Sequence, residues 1–82
     1  MSPAQQAAAL LTDLGWSRSQ VGRIMGVTPV MVTRWVTRAR RERGDQTAGP
    51  GKEPTRATVA FLDLLAWLNK GHGAVLDEYL GR

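Results

Sequence analysis

Apolar residues recur at helical spacing through most of the chain, and no stretch alternates with the period of two that a half-buried strand requires. The first periodic segment places Ala4, Ala7, Ala8, Leu11 and Leu14 on one face. Ser2 precedes it as an N-cap, Pro3 takes the first helical position, Gln5 closes a capping box and Gly15 ends the run. The second segment opens on Ser17, with Gln20 as capping-box partner and Trp16 and Val21 at hydrophobic-staple spacing. This predicts a helix over 18–25 with Val21, Ile24 and Met25 facing inward, stopped by Gly26, because glycine takes the left-handed conformation freely. Thr28-Pro29 restarts the chain as cap and first helical residue, Val27 and Val32 repeat the staple spacing, and a third helix runs to about Arg40–Arg43.

Residues 44–54, GDQTAGPGKEP, are glycine-, proline- and polar-rich and read as a linker loop. Thr55 caps a fourth helix of about 56–70. That helix is apolar on two sides. Ala57, Ala60, Phe61, Leu64, Leu65 and Leu68 form a broad stripe, and Val59, Leu62 and Ala66 form a narrower patch nearly opposite. The Gly71-His72-Gly73 break leads to a short last helix carrying Val75, Leu76, Tyr79 and Leu80. The expected architecture is all-α with five helices: a three-helix region over 1–43, a linker loop over 44–54 and C-terminal helices over 55–82, within one compact domain.

Eighty-two residues bury only about 60–65% of their unfolded surface, so the stability margin is thin. The chain has no cysteine, which excludes disulfides and thiolate metal sites. Its start lacks the basic and apolar regions of a signal peptide, and Asp63 and Asn69 interrupt its longest apolar stretches. The expectation is a soluble, intracellular protein. Charge is more informative. The formal net charge is +4, yet residues 18–43 hold seven arginines and a single acid, Glu42, which leaves the remainder of the chain net negative. One-signed arginine clustering is the footprint of a phosphate-binding surface.

That basic third coincides with a spacing pattern. Two short helices crossing over a three- or four-residue turn need a small residue at their approach, a turn residue tolerant of positive φ, and apolar residues at the crossing. In SRSQVGRIMGVTPVMVTRWVT, residues 17–37, these are Gly22, then Gly26, then Val21, Met25, Val27, Val32 and Trp35. The segment resembles the helix-turn-helix of the lambda repressor/Cro, or XRE-type, superfamily, through the Gly22–Gly26 step and Val32-Thr33-Arg34-Trp35. The resemblance implies a lambda repressor-like domain with one helix before the motif and two after it. The layout is also similar to that of small phage-borne autoregulators, the anti-CRISPR-associated repressors, with an extended loop before a C-terminal dimerisation helix. Pro29 and Val30 stand where the family often has polar base-reading residues, and Arg18 replaces a frequent glutamine, so the bases read do not transfer.

In such a motif the second helix enters the major groove. With Val32 and Trp35 inward, Thr28, Val30, Thr33, Arg34 and Thr37 are the base-reading candidates. Arg34 leads them, since a guanidinium can bond guanine O6 and N7 together. Ser17, Arg18 and Gln20, at a helix N-terminus, and Arg38, Arg40, Arg41 and Arg43 are the phosphate-binding candidates. Val59, Leu62, Ala66, Trp67, Leu76 and Tyr79 are assigned to a homodimer interface, although the pattern leaves open which apolar face of the fourth helix pairs. Lone His72 reads as an exposed turn residue, adjacent Asp77 and Glu78 make a poor acid/base pair, and GPGK lacks the remainder of a phosphate-binding loop. No catalytic set, metal, cofactor or small-molecule ligand is expected. The sequence therefore points to a sequence-specific double-stranded DNA-binding regulator, a repressor on an inverted-repeat operator. Two other classes stay open: an excisionase-like architectural factor, and an antitoxin whose C-terminal helices cover a toxin.

Overall fold

The computed structural model describes residues 1–81, so Arg82, the end of the expected 55–82 region, lies outside the described residues. Five helices follow one another: α1 Pro3–Leu14, α2 Arg18–Met25, α3 Pro29–Glu42, α4 Arg56–Gly71 and α5 Gly73–Leu80. There is no strand among the described residues. Local chemistry accounts for the boundaries. The hydroxyls of Ser2, Ser17, Thr28 and Thr55 accept the amides of Gln5, Gln20, Met31 and Thr58 at 3.1–3.2 Å. Each such cap stabilises its helix by about 1 kcal/mol. Gly15 and Gly26 close α1 and α2 in the left-handed region, at φ 67° and 74°.

α1 is the hub. It packs against α3 and against α4, while α2 lies on α3 and α5 on α4. Ala4 and Ala7 are fully buried, and their small side chains let the neighbouring backbones approach. Leu14, Val21, Val32, Trp35, Val59, Leu62, Leu65 and Leu76 complete one continuous core. The assembly measures 41 × 23 × 20 Å, and this slender stack leaves the outer side of α4 uncovered.

The two apolar sides of α4 take different roles. The narrower patch is the core side: Leu62 is fully buried, Val59 nearly so and Ala66 half-buried, and Leu65, at the edge of the broad stripe, is buried with them. The rest of the broad stripe faces outward, with Ala57, Ala60, Phe61 and Leu64 exposed, while Leu68 is half-buried against the core. Val59, Leu62 and Leu76 therefore cannot form a dimer interface, because α1 and the rest of the core already cover them. Trp67 and Tyr79, also assigned to that interface, are 60% and 76% exposed.

The 44–54 segment has no regular structure but is not a free tether. The amide of Lys52 donates to the Arg34 carbonyl at 3.1 Å, and Arg41 Nη1 donates to the Ala48 carbonyl at 3.0 Å. Ala48 and Pro54 are buried. Gly51, at φ 60°, lies so close to α3 that a Cβ would fall 2.5 Å from the Arg34 carbonyl oxygen and the Arg38 nitrogen. Only glycine fits there, both for its φ and for the approach.

Candidate nucleic-acid interface

The turn between α2 and α3 sets the orientation of the surface. Gly22 is buried, its carbonyl accepts the Val27 amide at 2.8 Å, and a Cβ at this position would sit 2.5 Å from the Val27 carbonyl oxygen. The absence of a side chain lets the turn fold back on α2. Across it, Val21, Val32 and Trp35 are buried and Met25 and Val27 half-buried, which fixes the roll of α3 about its own axis. Ala39 continues the buried row one turn beyond Trp35.

The opposite side of α3 is open. Val30 is 61% exposed, Thr28, Pro29 and Arg34 are exposed, and Thr33, Thr37 and Arg38 are half-buried along its edges. This gives a helix about 10–12 Å across, side chains included, with a mixed apolar, hydroxyl and guanidinium outer face. Those dimensions match a B-form major groove of about 12 Å. The five candidate base-reading residues lie on or beside this face. Their hydroxyls are not equally free. Thr28 caps α3, and Thr33 Oγ1 donates to the Pro29 carbonyl at 3.1 Å while accepting from Arg18 Nη1 at 3.0 Å. The Thr33 hydroxyl is thus engaged within the protein, and the Arg34 guanidinium has no hydrogen-bond or ion-pair partner among the described residues.

The cationic candidates divide in the same way. Arg38 Nε pairs with Glu42 at 3.2 Å, and Arg40 Nη2 pairs with Asp45 at 2.7 Å. Arg41 is held by the loop carbonyl of Ala48. Arg18 braces α3 through Thr33. Arg43, like Arg34, is exposed and without a partner among the described residues. Ser17 serves as the α2 cap and Gln20 provides the capped amide, so both help build the N-terminus that favours an anion. The arginines of this third therefore divide: Arg34 and Arg43 stay open to solvent, Arg40 and Arg41 hold the loop, and Arg18 and Arg38 bond to side chains of α3. Asp45, five residues after Arg40, was the sequence signal for the loop-holding pair.

The two carboxylates record this pairing. Asp45 accepts from the Thr47 hydroxyl at 2.6 Å, from Arg40 and from the Thr47 amide, and these bonds hold its pKa down at about 2. Glu42 is lowered by the hydroxyl of Ser2 and, further, by Arg38.

No group of three metal-capable side chains occurs among the described residues. His72 is exposed and stacks on Trp67 with ring centroids 4.5 Å apart. No helix among the described residues is long and apolar enough to cross a membrane. Comparison with protein-family models, with curated proteins and with solved structures finds no match for this chain.

Proposed function

We propose that this protein is a non-enzymatic, sequence-specific double-stranded DNA-binding transcriptional regulator of lambda repressor-like type. In this reading α2 and α3 form the helix-turn-helix. The observation that carries it is the outer face of α3. Its roll is fixed by buried Val32, Trp35 and Ala39, and its Val30 and unpartnered Arg34 stand open, with half-buried Thr37 beside them, within the most basic third of the chain. Arg34 is the leading base reader, Thr33 and Val30 meet thymine methyls, and Arg43 and the α2 N-terminus meet phosphates. The physiological setting that fits is a phage or bacterial repressor acting in the host cytoplasm. Occupancy of its own promoter, as in an anti-CRISPR-associated autorepressor, is the simplest mode of action.

The regulator acts as a homodimer. One such module offers DNA only about 600–1,000 Å², and high specificity needs two. α4 exposes Phe61, Leu64 and Trp67 and α5 exposes Val75 and Tyr79, and monomers rarely leave so much large apolar surface in water. α4 and α5 carry Arg56 and Lys70 against Asp63, Asp77 and Glu78, a near balance that opposes pairing with a second copy very little. Twofold pairing dictates an inverted-repeat operator with half-site centres a whole number of helical turns apart.

Selection of duplexes from a random pool, followed by footprinting, tests this directly. The expected result is a short palindromic footprint and a log K that falls with log salt by about 0.9 for each phosphate contacted. A flat salt titration overturns the nucleic-acid reading. A long phased array of footprints favours an architectural factor, and a stable complex with a second protein that excludes DNA favours an antitoxin.

A further inference from the structure

α1, α2 and α3 leave an open-mouthed cavity of about 300 Å³ at their junction. Its lining is mostly apolar: buried Val21 and Val32, with half-buried Leu11, Trp16 and Val36. Two charged residues reach it, Arg18 from the start of α2 and Arg43 from the end of α3, and no lining residue is acidic. Glu42, the acid next to Arg43, is already held by Arg38 and by the hydroxyl of Ser2. Small-molecule sites have this make-up from about 300 Å³ upward: hydrophobic and aromatic walls with a few polar groups that fix orientation. An apolar hollow edged only by cations is complementary to a ligand with an apolar body and one negative group. At ~30 Å³ for each water-sized group, the volume takes roughly ten non-hydrogen atoms, the size of a phenyl ring with a short carboxylate arm.

We propose that this cavity is an effector site for a small apolar monocarboxylate and, resting on the DNA-binding reading above, that filling it weakens DNA binding. Arg43, exposed and without a partner among the described residues, supplies the guanidinium for the carboxylate. Arg18 adds a second positive charge, and at present it donates to the neutral Thr33 hydroxyl at 3.0 Å. A carboxylate is the stronger acceptor, so it draws Arg18 away and releases the brace between α2 and α3. Both arginines are also phosphate candidates, so the bound acid and the DNA backbone compete for the same charges. The coupling is reciprocal: the acid weakens DNA binding by the factor by which DNA weakens the acid.

The test uses the full chain and NMR of the tryptophan indole N–H groups, with Trp16→Phe identifying the Trp16 resonance. The probes are phenylacetate, its neutral counterpart phenylacetamide, and acetate as a charge without an apolar body. Phenylacetate is expected to shift the Trp16 resonance saturably, with both controls at least ~10-fold weaker, and Arg43→Gln to weaken phenylacetate roughly 5–10-fold. Fluorescence anisotropy then follows a duplex selected from a random pool by the wild-type protein, at constant ionic strength. Saturating phenylacetate is expected to weaken that complex by about 5–10-fold. Thr12 is exposed at the cavity, so Thr12→Phe places a ring in the mouth. That variant is expected to keep its DNA affinity and lose the response to phenylacetate. No saturable shift, equal binding of the three probes, or an unchanged titration in Arg43→Gln overturns the site, whatever the protein does with DNA. Saturable binding that leaves DNA affinity unchanged overturns the coupling. A flat salt response in the wild type removes the DNA-binding reading and the coupling with it, while the NMR titration still decides the site.

Discussion

The assignment of the two sides of α4 has a sharp energetic consequence. Leu62 is fully buried, whereas Leu64, two residues on, is 53% exposed. Truncating Leu62 to alanine removes its transfer energy and leaves a cavity, a combined cost of about 3–5 kcal/mol. A chain of this length has a total stability of only about 4–12 kcal/mol, at ~0.05–0.15 kcal/mol per residue. The loss therefore takes a large fraction of the fold's stability and lowers Tm by roughly 12–40 °C, at ~4–8 °C per kcal/mol. Leu64→Ala leaves no internal cavity and costs under about 1 kcal/mol in the monomer. Its effect appears as concentration rises, because it trims the surface assigned to the second copy, and association stabilises the folded state by mass action. The assay is urea and thermal unfolding followed by far-ultraviolet circular dichroism at two protein concentrations, with sedimentation velocity fixing the mass at each. Equal losses for both variants in the monomer, or a larger loss for Leu64→Ala, refute the assignment of faces. A concentration-independent monomer that keeps full operator affinity refutes the dimer.

Two glycines give opposite signs under the same substitution. Helix propensity favours alanine over glycine by up to about 1 kcal/mol, and Gly71→Ala, with open space around it, is expected to stabilise by ~0.5–1 kcal/mol. Gly22→Ala drives a methyl against the Val27 carbonyl and is expected to destabilise by about 1–2 kcal/mol net of that gain, so stabilisation of both variants in urea unfolding contradicts the close-turn argument. Arg34→Ala is expected to cost about 1–3 kcal/mol on the selected duplex and to relax preference at one base pair, while Arg43→Ala weakens all duplexes alike. Equal relative losses on selected and random DNA for Arg34→Ala reassign it to a phosphate. Asp45, held down at about 2 by Thr47 and Arg40, stabilises the docked loop above the ordinary carboxylate range, and that contribution is lost as pH falls from about 4 through 2. The stability difference between wild type and Asp45→Asn is expected to vanish over that window, and an Asp45 carboxyl that titrates near its ordinary value by NMR contradicts it.

All five helices, their caps and the crossing residues of α2 and α3 were legible from residue order, because each depends on chemistry within a few positions. A serine or threonine hydroxyl reaches the amide three residues on, glycine alone closes α1 and α2 at positive φ, and one helical period makes Val32 and Trp35 share a side. The outward set on α3 followed from the same period. Three features depended on residues far apart in the chain. Both sides of α4 are apolar, so periodicity supplied two answers, and packing against α1 chose the side of Leu62 over the broader side of Leu64. Composition marked 44–54 as a linker, but the fit of Gly51 to the backbone at Arg34 and Arg38 draws the segment onto α3. Charge marked seven arginines alike, and only the fold distinguishes Arg34 and Arg43, left open, from Arg38 and Arg40, paired with carboxylates. A helix and its caps are written in contiguous residues, whereas which surface is covered depends on which distant segment arrives to cover it.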